Sequence, residues 1–131
     1  MLVSRISDFR NNTSFGGYRS LLKDLYKNDL LPSVKVGLYG GKLTKHNVSY
    51  EHIKPHSQKG GTSLMNGALA TRENNTLRGN DDINNHLTHQ MLYNYLVQFK
   101  DVVVKYRKKV FDGNRYILGV VNTLRNLNFV I

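Results

Sequence analysis

Apolar residues recur at helical spacing in the first third of the chain, where Leu21, Leu22, Leu25 and Tyr26 follow a helix start at Thr13-Ser14. Leu30-Leu31-Pro32 is expected to end that helix, because the residue before proline avoids the helical region. The period then changes. Val34-Lys35-Val36-Gly37-Leu38-Tyr39 alternates and predicts a strand, with Gly40-Gly41 as punctuation, and Asn47 to Ile53 predicts a second strand. Together the two runs predict a hairpin with a long turn. Residues 54–70 read as loop, with Pro55, Gly60-Gly61, Ser63 and Asn66-Gly67. A short helix is expected from Thr71, a good N-cap, to a stop at Gly79-Asn80. Beyond it Ile83, Leu87, Met91, Leu92, Tyr95, Leu96 and Phe99 form an amphipathic stripe that Val102, Val103, Tyr106 and Val110 continue. The stripe predicts a helix through Val110 and a second from about Arg115 to Leu127. Asp112-Gly113-Asn114 offers the alternative of a hairpin turn in the same region.

The chain has 131 residues, which suits a single domain over 1–131, and its hydrophobic fraction of 40% is enough for a packed core. It has no cysteine, which excludes disulfides, a thiol nucleophile and thiolate zinc sites. Lys and Arg total 19 against 9 acidic residues, a formal charge of +10 that favours polyanionic partners, nucleic acid first. No apolar run approaches a membrane span, and the N-terminus lacks the apolar core of a signal peptide. A cytoplasmic location with no membrane partner is the expectation.

The stretch from Glu51 to Asn80 carries the chemistry. Glu51 and His52 sit side by side near a strand end, with Asn66 and Asn75 downstream, the latter on the predicted helix. A carboxylate, an imidazole and a carboxamide brought together by a hairpin and a helix can make a hydrolytic metal site. The oxygen donors suit a hard divalent ion, and the imidazole can deprotonate water.

This signature, Glu51-His52-Ile53-x-Pro55, Gly60-Gly61, Asn66 and Asn75, resembles the HNH endonuclease family and its ββα-metal finger. The resemblance covers residues 37–80. It implies an α+β fold in which a ββα-metal finger over residues 34–80 is embedded among flanking helices, with a mainly helical extension over 81–131. It further implies metal-dependent hydrolysis of DNA phosphodiesters, as nicks or double-strand breaks. His52 would be the general base, Glu51 and Asn75 would ligate the metal, and Asn66 would brace the loop that orients His52. Lys54, Lys59, Arg72 and Arg78 would contact nucleic acid, Arg78 near the scissile phosphate. One Mg2+ is the expected cofactor, with Mn2+ an alternative. Many members hold a structural zinc with two Cys-x-x-Cys knuckles; the corresponding positions here are Gly37 and Gly40, then Thr71 and Asn74, so no structural zinc is expected. The small size looks like that of a free-standing phage nuclease, with DNA or RNA as partner and a homodimer or a phage protein as further options.

Other residues read as ordinary structure. His46 and His56 fit loop positions, His86 and His89 a solvated helix face, and Asn74 is the fallback for Asn75. Lys105, Arg107, Lys108 and Lys109 form a further basic group that either extends a nucleic-acid footprint or is simply solvated. The competing functional class is an HNH-like protein that binds nucleic acid without turnover, as an accessory factor or as part of a nucleoprotein assembly.

Overall fold

A computed structural model describes residues 17–55 and 66–131. Among them lie four α-helices and two small antiparallel sheets, a mixed α plus β architecture. In chain order these are α1 (Gly17–Lys27), β1 (Val48–His52), β2 (Gly67–Thr71), α2 (Arg72–Arg78), α3 (His89–Leu96), β3 (Val103–Tyr106), β4 (Lys109–Asp112) and α4 (Gly113–Asn126). Short 3-10 turns at Ile83–Asn85 and Val97–Phe99 flank α3. The expected helix start at Thr13-Ser14 lies outside the described residues, as do His56, Lys59, Gly60-Gly61 and Ser63.

Helix α1 ends before Leu30-Leu31-Pro32. Asp29 adopts φ 61°, and the amides of Leu30 and Asp29 fold back onto the carbonyls of Leu25 and Tyr26. That pairing is a Schellman cap with an aspartate in the left-handed position, and it seats Leu30 against the core that Leu22 and Leu25 enter. Asn128, at φ 64°, closes α4 in the same way through the carbonyls of Leu124 and Arg125.

The sheet differs from expectation in its pairing. β1 pairs not with residues 34–39 but with β2, antiparallel, in a register that sets Glu51 opposite Ala68 and His52 opposite Gly67. Residues 67–70, read as loop, are therefore strand, and every position of β2 is buried. The alternating run Val34 to Tyr39 makes only an isolated bridge, Val36 to Lys42, across a turn in which Gly40 and Gly41 both take φ 83°. At Lys35 and Val36 its backbone is satisfied by a side chain instead. Gln98 Oε1 accepts from the amides of Lys35 and Val36, and its Nε2 donates to the Val36 carbonyl.

The outer edge of β2 is closed without a third strand. The Leu69 amide donates to the Tyr95 hydroxyl at 2.9 Å, and the Tyr116 hydroxyl donates to the Gly67 carbonyl at 2.7 Å. Since Tyr116 gives its proton to Gly67, the 2.9 Å contact between the phenols has Tyr95 as donor. The Leu38 amide takes the remaining Leu69 carbonyl. Burial raises the pKa of both phenols, so they stay protonated and the chain of donors is complete.

The C-terminal region also departs from the helical expectation. Residues 103–112 form a hairpin rather than a continuation of the stripe, and the turn falls at Arg107-Lys108 rather than at Asp112-Gly113-Asn114. Val102, Val103 and Val104 are β-branched and suit a pleated strand better than a helix. Asp112 instead caps α4, its carboxylate accepting from the amides of Asn114 and Arg115. Tyr95, Phe99, Phe111 and Tyr116 pack their rings together beneath the hairpin. The 81–131 region is thus two helices with a β-hairpin between them.

Candidate active site at the strand–helix seam

Helix α2 starts where sequence chemistry places it. Thr71 Oγ1 accepts from the Asn74 amide, and Gly79 at φ 52° donates to the Asn75 carbonyl and ends the helix. Because β2 runs directly into α2, the helix folds back on β1. Asn75 Nδ2 donates to Ser49 Oγ at 2.8 Å and to the Tyr50 carbonyl at 2.9 Å. Three residues on, and so on the same side of the helix, Arg78 reaches the far end of the strand.

Arg78 is buried, 3% exposed, and its guanidinium is committed to four acceptors. Nε donates to the Asp81 carbonyl, Nη1 to the His52 carbonyl and to Glu51 Oε2 at 3.0 Å, and Nη2 to the Ile53 carbonyl. Glu51 is 2% exposed and also accepts from the Tyr39 hydroxyl. Burial pushes the Glu51 carboxyl above the usual range, and the bonds from Tyr39 and Arg78 only partly offset it. Burial, with the adjacent carboxylate, likewise pushes Tyr39 upward. The arrangement is a closed ionic clamp between strand and helix.

His52 leaves β1 on the opposite side from Glu51, as alternation requires. It is half-buried, and its ring stands edge-on to Tyr50 at 4.9 Å and 84°. Gly67 makes that possible: a Cβ there would fall 2.1 Å from the Tyr50 hydroxyl oxygen, so only glycine leaves space for the ring opposite His52. Just beyond, Asn66 pins the chain. Its Oδ1 accepts from the Lys54 amide at 2.7 Å and its Nδ2 donates to the Lys54 carbonyl at 3.0 Å. Both backbone groups of the residue two after His52 are fixed by one amide.

The structure thus brings Glu51, Asn75 and Arg78 to one seam, with His52 and Asn66 at the strand end. Arg72 is exposed and Lys54 partly so, both open to solvent, whereas Arg78 faces the interior and not the surface. Tyr39 and Ser49 were not singled out from the sequence; only the fold carries Tyr39 back to Glu51. A carboxylate and a carboxamide oxygen suit a hard divalent ion by donor type. In this arrangement, however, Glu51 already has a guanidinium as its cation. Among the described residues no group of three or more His, Cys, Asp and Glu side chains gathers at one point.

Gly37 and Gly40 lie against Thr71 and Asn74. A Cβ on Gly37 would lie 3.2 Å from the Thr71 amide nitrogen, and Asn74 Nδ2 donates to the Gly40 carbonyl at 3.3 Å. The glycine turn therefore packs straight onto the start of α2. Compared with family models, with characterised proteins and with solved structures, the chain matches none.

Proposed function

We propose that this protein is an HNH-like endonuclease that hydrolyses nucleic-acid phosphodiesters, DNA first, with His52 as general base. One observation carries the reading: a strand pair running directly into a helix sets His52 at the strand end, with Lys54 just after it held by Asn66. The meeting of Gly37 and Gly40 with Thr71 and Asn74 supports it, since knuckled members of that family join the same positions through zinc.

In this reading His52 accepts the proton of the attacking water while the Tyr50 ring limits its rotation. Asn66 holds Lys54, and so the backbone that follows His52, in a fixed place. Lys54 and Arg72 meet flanking phosphates, and Arg78 keeps β1 seated on α2. A divalent ion, Mg2+ or Mn2+, would meet Glu51 and Asn75 only in place of the Arg78 guanidinium, because Glu51 is closed to it while bonded to Tyr39 and Arg78. When bound, such an ion supplies charge stabilisation for the phosphate.

A second reading draws on the clamp itself. With Glu51 satisfied by Tyr39 and Arg78, the same scaffold could bind nucleic acid without turnover. Supercoiled plasmid incubated with protein in magnesium, manganese or EDTA, beside His52→Ala, separates the two. Metal-dependent nicked or linear product that vanishes in the variant is the expected result. Intact plasmid in every condition, with a salt-sensitive gel shift, would overturn the nuclease reading in favour of the second.

A further inference from the structure

The β3–β4 hairpin concentrates charge in an unusual way. Residues 102–111 contain Lys105, Arg107, Lys108 and Lys109 and no acidic residue. Alternation sends Val104 and Phe111, which are register partners, toward the core, while Val103 and Lys105 stand exposed on the outer face. The turn is closed by the pair Tyr106–Lys109, which leaves Arg107 and Lys108 at the tip, both exposed.

The tip is conformationally expensive for those residues. Arg107 sits at φ 50° and Lys108 at φ 66°, the combination that two-residue hairpins ordinarily reserve for Asn-Gly. Two long cations stand where smaller residues would fold more easily. The Arg107 guanidinium lies 5.1 Å from the centre of the Tyr106 ring, which holds it over an aromatic face. The base of the hairpin is fixed to the finger as well. β4 leads into α4, and Tyr116 of that helix donates to the carbonyl of Gly67, the register partner of His52. Four residues of strand extend about 13 Å from that base, a span that crosses several phosphates of a duplex.

We propose that this hairpin is a nucleic-acid-binding arm whose tip cations, Arg107 and Lys108, contact backbone phosphates. The proposal rests on the reading above only for the class of partner, and it holds with or without cleavage. Asp112, the one acidic residue of the ribbon, lies at its base and caps α4, while the strained tip places Arg107 and Lys108 at the point of greatest reach.

The test is binding of the full chain to a fluorescent 30-bp DNA duplex, by anisotropy, in EDTA, across a sodium chloride series. The double variant Arg107→Asn/Lys108→Gly removes two charges and supplies the turn sequence the geometry prefers, so its melting temperature should equal or exceed that of wild type. Its plot of log K against log salt should be shallower by about 1.8, at about 0.9 per lost phosphate contact. Lys105→Gln, outside the turn, should make the slope shallower by no more than about 0.9. An unchanged slope and affinity in the double variant would overturn the arm. Wild-type protein that binds anionic phosphatidylserine vesicles but not the duplex would overturn it too. Failure of the nuclease reading shows elsewhere, as intact plasmid in magnesium, while the difference in slope persists.

Discussion

Replacing Arg78 tests whether the ionic clamp holds β1 and α2 together. Arg78→Ala removes the hydrogen bonds to the carbonyls of Asp81, His52 and Ile53 and the partner of a carboxylate that is 2% exposed. Breaking a buried pair from one side costs about 3–5 kcal/mol. Here the lower end applies, because the Glu51 carboxyl already lies above its usual range and can take up a proton when the guanidinium is gone. Three orphaned carbonyls at about 1 kcal/mol each lead to the same figure of about 3 kcal/mol. A chain of 131 residues unfolds with an entropy of about 0.28 kcal/mol/K, so the melting temperature should fall by about 11 °C. Arg78→Lys keeps the charge but cannot span four acceptors in fork geometry, and about 2 kcal/mol should be lost. Thermal melts followed by circular dichroism, with urea titration for the free energies, make the measurement. A lysine variant within about 0.5 kcal/mol of wild type would refute the reasoning, because charge alone would then explain the clamp.

Asn66→Ala should cost about 1–2 kcal/mol in urea denaturation, since both backbone groups of Lys54 lose their partner at a partly solvated site. On the nuclease reading it should also slow plasmid nicking on the order of 100-fold, because Lys54, two residues after His52, loses its fixed position. Asp81 is held below the usual carboxylate range, first by its hydrogen bond with His86 and then by the Asp82 amide. A depressed folded pKa stabilises above the unfolded value near 3.8 and is lost as pH falls through the folded value. The melting-temperature gap between wild type and Asp81→Asn should therefore be constant near neutrality and close in acid, and a gap that widens in acid would contradict it.

Helix α2 was fully legible, because Thr71 and Gly79 act locally: one accepts an amide and the other turns the chain. The sheet was not. β2 is Gly-Ala-Leu-Ala-Thr, buried on both faces, so it shows no alternation, and Asn66-Gly67 ahead of it looks like a turn. Val34 to Tyr39 alternates like a strand but finds its hydrogen-bond partner in Gln98, more than sixty residues away, which no local pattern reveals. The hairpin turn at Arg107-Lys108 lacks the glycine or asparagine that would announce it, and its apolar neighbours also fit a helical stripe. At the site, adjacency of Glu51 and His52 was plain, and so was the spacing to Asn66 and Asn75. What sequence could not supply was the direction of Arg78. A basic residue directly before a glycine stop looks like surface, and only the seam with β1 turns it inward.

The tyrosine closure of β2 has a consequence for how the chain reaches this state. A bare strand edge is a template for addition of another chain's strand, and here the groups that block it come from Tyr95 and Tyr116, well downstream of β2. Until α3 and α4 dock, the Leu69 amide and the Gly67 carbonyl are open to pairing with a neighbouring molecule. Protection against self-association is thus delivered by the last third of the sequence. Once both phenols are in place, the two-stranded sheet can no longer grow at that edge, and copies of the protein can associate only through other surfaces.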